Sequence, residues 1–191
     1  MRVREESPMK GNFAAILSCD LVDDNRLEAA HQDVIAGRFQ FCAEFIHECV
    51  TDHGGTAIDS GRQNALCGFD CVVDAVRCVF EIQEILDEVN AGAQADRRML
   101  ARFGIHFFDA IVDGDTHLED GVNIATGLEA LADPGGVCAS ENVVINTVGK
   151  ADIDFAYLGK KTVKNVNQAI HAYSISRKIV PLKAYIGRSG A

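Results

Sequence analysis

An aspartate closes the first apolar run of the chain, FAAILSCD, and sets the carboxylate of Asp20 at the end of a predicted buried strand. A hairpin pattern follows at residues 56–69, TAIDSGRQNALCGF, whose polar turn carries Arg62 and Gln63. Further on, DGVNIATGLEAL sets Asn123 and Gly127 four residues apart, on one face of a predicted helix. TVKN then offers Lys164 near a predicted hairpin tip. A carboxylate, an amide and an ammonium can hold a cation, orient a hydroxyl and meet a phosphate. Spacing alone does not assign those tasks. Read singly, Asp20 is a turn or helix-start carboxylate, Asn123 a surface or helix-packing amide and Lys164 a surface lysine. Seven Cys and six His could suggest zinc or redox chemistry, but no CxxC pair occurs and the ligand spacings are wrong for zinc. Nearly all the cysteines sit in apolar runs, so they are expected to be reduced and buried, as small hydrophobes of a cytoplasmic protein.

The elements that must position these residues can be read from periodicity. The 191 residues, 48% of them hydrophobic, suit one sizeable domain with a filled core. The net charge of −10 disfavours a nucleic-acid backbone or an anionic membrane surface as partner. Any polyphosphate site would need a local cation. No apolar stretch has the length of a signal peptide or a membrane helix, so neither is expected. Residues 1–11 read as a charged arm, 12–177 as the domain and 178–191 as a tail or linker.

Within the domain the spacing predicts a strand at 13–20, a helix from about Leu27 to Cys49 closed by Gly54-Gly55, and the hairpin. A helix from about 70 to 90 follows, with Asp70 as its N-cap, then a strand at 100–112 and a helix at 121–132. VCAS reads as strand, ENVVINTVG as helix, and IDFAYLG, KTVKN and AIHAYSIS as strands. Hairpins mixed with helices predict an α+β fold, a ferredoxin-like, largely antiparallel sheet with packed helices. No GxGxxG or GxxxxGK[ST] follows a strand, which excludes a Rossmann fold or a P-loop.

Several segments, in order, resemble the class III adenylate/guanylate cyclase catalytic domain, in particular its rhizobial-like bacterial subgroup. They are FAAILSCDLVDDNRL, HGGTAIDSGRQNALCGFDCVVDAVRCVFEIQ, RFGIHFFDAIVDGD, DGVNIATGLEALADPGGVCAS and YLGKKTVKN, which together span roughly residues 12–176. The resemblance implies the nucleotide cyclase fold and a head-to-tail homodimer with sites at the interface. It also implies Mg²⁺ or Mn²⁺ as cofactor and conversion of ATP to cyclic AMP and pyrophosphate. Two aspartates hold the metals in that family, one metal activating the ribose hydroxyl and the other holding the triphosphate.

Residue by residue, the resemblance carries over unevenly. Asp20 matches the first metal aspartate, while Gln63 stands at the second, next to Arg62. Asp59 and Thr116 stand at the two base-selecting positions, where the family has a lysine and an aspartate. Asn123 matches the ribose-orienting asparagine; Gly127 stands where the family has a transition-state arginine. Lys164 matches the phosphate-binding lysine, and Asp23 and Asp24 acidify the phosphate loop. Phe108 stands where many relatives have glycine.

A preorganised cation on a transition state is typically worth ~10²–10³ in rate. The expectation is therefore a cyclase-homology domain with impaired catalysis, acting as a dimerising or regulatory module and binding ATP weakly if at all. The alternative is an active cyclase with an altered site, or one completed by another cyclase domain in a heterodimer. A ligand-binding or redox-sensing module on the same fold is a third reading.

Overall fold

Alternation in the first apolar run produces a strand with two different faces. The structure, a computed structural model, describes residues 13–22, 32–61, 64–94, 98–108 and 116–178; the side chains of 32–36 and 116–117 are not among those described. In β1 (Ala15–Val22), Ala15, Leu17, Cys19 and Leu21 enter the larger core, which leaves Ile16, Ser18 and Asp20 on the other face. The chain continues through α1 (Gln32–Asp52), β2 (Thr56–Ser60), β3 (Asn64–Phe69), α2 (Val72–Val89) and β4 (Leu100–Phe107). This βαββαβ unit has strand order β2-β3-β1-β4, the ferredoxin-like arrangement that hairpins alternating with helices predict.

The second part adds α3 (Thr116–Glu129), β5 (Val137–Ser140), α4 (Glu141–Thr147), β6 (Ile153–Lys161) and β7 (Ile170–Arg177). One seven-stranded sheet results, in the order β2-β3-β1-β4-β5-β7-β6. Its pairs are antiparallel except β4 with β5. Residues of α1, α2 and α4 fill the larger core on one face. On the other face α3 packs Ile124 and Leu128 against Cys138, Val163, Ile170 and Ala172. β5 shows the division directly, because Val137 and Ala139 join the first core and Cys138 the second.

Gly104 decides how closely α3 approaches. A Cβ there would run into the backbone of Ala125 and Glu129, so the helix lies directly on β4 at this point. Ser18 is the cross-strand partner of Gly104.

Some element boundaries differ from the sequence-based expectation. α2 is capped at Cys71, not Asp70, and without a side-chain cap bond. α3 starts at Thr116, five residues before the expected 121, because THLED holds no breaker and its acids suit a helix N-terminus. β4 ends at Phe107, and residues 109–112 of the expected strand lie outside the described residues, as do the arm 1–11 and most of the tail. KTVKN is not a separate strand: β6 runs on to Lys161 and the chain then turns. Six cysteines are buried, as expected; Cys71 is exposed.

Candidate functional site

Asp20 lies two residues before the end of β1, on the α3 face of the sheet. Its cross-strand partners are Arg102 on β4 and Asn64 on β3. Side chains so paired stand ~5 Å apart at Cβ. Burial raises the Asp20 carboxyl above its ordinary value, and the Arg102 guanidinium partly offsets that shift. The Nε of Arg102 is buried without a hydrogen-bond partner.

A second carboxylate stands nearby, one that sequence reasoning missed. The Ser18 hydroxyl donates a hydrogen bond of 2.6 Å to Glu129 Oε2. Burial raises the Glu129 carboxyl, and Asp20 raises it further; the Ser18 bond and Arg102 act the other way. The only sequence signal for this pair was a serine inside the apolar run AILSC. Ser18, Asp20, Arg102 and Glu129 therefore form one half-buried polar group at the β1 side of α3.

The opposite flank of α3 is different. Two residues of helix turn through about 200°, so Gly127 faces away from Glu129. An ideal Cβ at Gly127 would stand 2.9 Å from Val163 Cγ2 and 3.1 Å from Val163 Cβ, with Cγ1 closer still. Val163 thus fills the space in which a side chain at 127 would begin. Asn123, one turn earlier and half-buried, lies along this same flank. Asn123 and Gly127 therefore share a face, as their spacing predicted, while Asp20 belongs to the other side of the helix within one chain.

The remaining candidates are scattered. Lys164 is exposed in the β6–β7 connection. Asp59 is exposed on the edge strand β2, opposite Leu66. Thr116 is the first residue of α3, and its side chain is outside the described residues. Gln63, Arg62, Asp23 and Asp24 also fall outside them. The described hairpin register stops at the pair Asp20–Asn64, one residue short of 63.

The donors among the described residues do not fit a two-ion metal centre. Among the described residues no group of three His, Cys, Asp or Glu side chains could hold a metal. The neighbours of Asp20 are a guanidinium and an amide, and the Glu129 carboxylate is already engaged by Ser18.

His106 is also buried, with its Nδ1 2.9 Å from the Oγ of Ser140, which is buried as well. Burial lowers its pKa to about 4. Its ring stacks on Phe108, which in turn borders Gly121 in the second turn of α3. Burial pushes the Cys67 thiol up to about 12 and those of Cys49 and Cys138 up to about 11, which keeps them protonated and unreactive.

No protein-family model matches the sequence. A protein of Rhizobium meliloti (strain 1021) named "Putative adenylate cyclase 3" is 32% identical over 174 residues, 89% of this chain and 29% of that protein. The chain thus spans under a third of the length of that relative. The crystal structure of an adenylate/guanylate cyclase/hydrolase from Silicibacter pomeroyi superposes with a TM-score of 0.72 at 28% identity, covering 87% of this chain and 96% of that one. An adenylyl cyclase from P. aeruginosa shares the fold at TM-score 0.64 and 14% identity, over 86% and 94% of the two chains. With this likeness in sequence and in fold, the chain belongs to the class III adenylate/guanylate cyclase catalytic-domain family.

Proposed function

We propose that this chain is a cyclase-homology module of cyclic nucleotide signalling whose own residues do not complete the catalytic set, and that it works as a dimerising or regulatory domain. The observation that carries this reading is the Gly127–Val163 contact: the position that would supply a transition-state cation has no side chain, and its space is filled. Arg102, cross-strand from Asp20, adds to it, since a guanidinium there disfavours a metal cation at that carboxylate. In this reading Asp20 is the retained metal-facing carboxylate, Asn123 the retained ribose-orienting amide and Lys164 the phosphate-facing cation. Asp59 and Thr116 stand in for the base selectors, and Gln63 for the second metal aspartate.

A second reading draws on a different observation. Glu129, bonded to Ser18, and Gly127, against Val163, belong to opposite flanks of α3; in this reading the half-sites of Asp20 and Asn123 meet between two subunits. A partner cyclase domain, in a homodimer or heterodimer, would then supply the missing groups, with Mg²⁺ or Mn²⁺ and ATP at the junction.

The test is an assay of the purified chain with Mn²⁺ and ATP or GTP for cyclic product. The proposal expects none above background. Product formation abolished by Asp20→Ala would overturn it in favour of the second reading.

A further inference from the structure

The β6–β7 connection makes one anchored corner against α3. Val163 is only 5% exposed, with its methyl groups in the notch left by Gly127. Its carbonyl accepts a 3.2 Å hydrogen bond from the Val166 amide, and Asn165 adopts φ 63°. Residues 163–166 are therefore a tight turn whose first residue is fixed, with an asparagine at the left-handed position that it tolerates. Lys164 is the next residue, exposed and without a hydrogen bond or ion pair among the described residues.

The charge of this corner is opposite to that of the chain. Residues 155–171 hold Lys160, Lys161 and Lys164 and no Asp or Glu, in a protein of net charge −10. Lys161 lies on the α3 side of the sheet, because it is the cross-strand partner of Ile170, which packs in the core beneath α3. A groove of about 510 Å³ lies on that side, with Lys161 at one end and the carboxylates of Asp133 and Asp154 also in its lining, so the cationic character belongs to the hairpin end with Lys161 and Lys164 and not to the whole groove. Leu131, which also lines it, lies two residues past the end of α3, in the turn closed by its amide bond to the Leu128 carbonyl, so the groove adjoins the C-terminal end of that helix.

We propose that Val163 is a positioning residue: seated on Gly127, it pins Lys164 and Lys161 as a cationic corner beside the Asn123 flank of α3, where the corner meets the phosphate chain of a nucleotide. This rests on the reading above that the flank faces nucleotide. The steric logic is an exchange. A side chain at 127 would hold the hairpin off the helix; its absence lets Val163 close the gap and brings the hairpin's lysines up to the helix.

Calorimetric titration of the full chain with inorganic tripolyphosphate tests this without requiring turnover or base recognition. Lys164→Ala should weaken binding about tenfold, the loss of one charge-assisted contact. Val163→Ala should weaken it by a comparable factor with all lysines intact, and so should Gly127→Ala, which pushes Val163 out from the other side. The double variant Val163→Ala/Lys164→Ala should lose clearly less than the product of the two single losses, because Val163 acts through Lys164 as well as through Lys161. Circular dichroism checks that the Val163 and Gly127 variants fold.

Absence of saturable binding by the wild type would overturn the inference. So would wild-type affinity in Val163→Ala or in the surface variant Lys164→Ala, and so would losses that simply multiply in the double variant. The cyclic-product assay is separate. Binding without product sustains both readings, whereas product formation removes the first functional reading and leaves this one standing.

Discussion

Val163 stands where a side chain at Gly127 would have to begin, with Cγ2 2.9 Å from the position of that absent Cβ. The two residues are therefore a matched pair, and neither can be changed as if the other were absent. Gly127→Ala should destabilise the domain by about 1–3 kcal/mol, as overpacking in a filled site does. Restoring arginine alone should give no cyclase activity and a larger loss of stability. The pair Gly127→Arg/Val163→Gly should regain most of the melting temperature lost by the single arginine variant. Thermal melts of the three variants check this; equal melting temperatures for single and double arginine variants would refute the matched pair.

Gly104 is under a harder constraint, since the atoms facing it are backbone. A Cβ there meets the carbonyl of Ala125 and the amide of Glu129. Gly104→Ala should cost about 2–4 kcal/mol, because the whole helix must lift off β4. The measurement is chemical denaturation, read as a shift in midpoint. A change below about 0.5 kcal/mol would show that α3 is not seated as described.

Glu129 should make the protein more stable when its charge is removed. Its carboxyl is raised above the ordinary 4.5 by burial and by Asp20. A raised acid stabilises the fold below its unfolded pKa, and that contribution is lost as pH rises through the folded value. Glu129→Gln keeps an acceptor for Ser18 and removes the charge. It should be at least as stable as the wild type at pH 7, and the two should converge below about pH 4. Glu129→Ala, which loses the acceptor, should be less stable than Glu129→Gln at every pH. Melting temperatures across pH 3.5–8 distinguish these outcomes.

His106 should produce the opposite slope. Burial lowers its pKa to about 4, so the unfolded chain binds a proton more readily than the folded one between that value and about 6.5. Stability is fully present above the unfolded pKa and is lost as pH falls through this window, by up to about 3 kcal/mol. His106→Gln should flatten that part of the stability profile, whatever its effect on stability at pH 7. An unchanged slope between pH 6.5 and 4 would mean that His106 is not held neutral.

Much of the fold was legible in residues 13–107 because the controlling patterns are local. Alternation in AILSCDLV and the apolar stripe of VVDAVRCVFEIQEIL each determine an element from within a few residues. The misses were also local in cause: THLED lacks a breaker and joined α3 early, while a turn bond at Val163–Val166 removed the strand expected in KTVKN. Candidate residues could be named from motifs. Which of them share a side of the molecule could not.

By itself the sequence determined the order of the elements apart from KTVKN, the largely antiparallel α+β class and the family, together with the residue types at Asp20, Gln63, Asn123 and Gly127. Only the tertiary structure decided that Ser18 bonds Glu129 across 111 positions, that Arg102 flanks Asp20, and that Val163 closes the notch at Gly127. The physical reason is the same for all three. Each contact depends on strand register and on the depth at which α3 sits on the sheet, and both are set by the packing of whole layers.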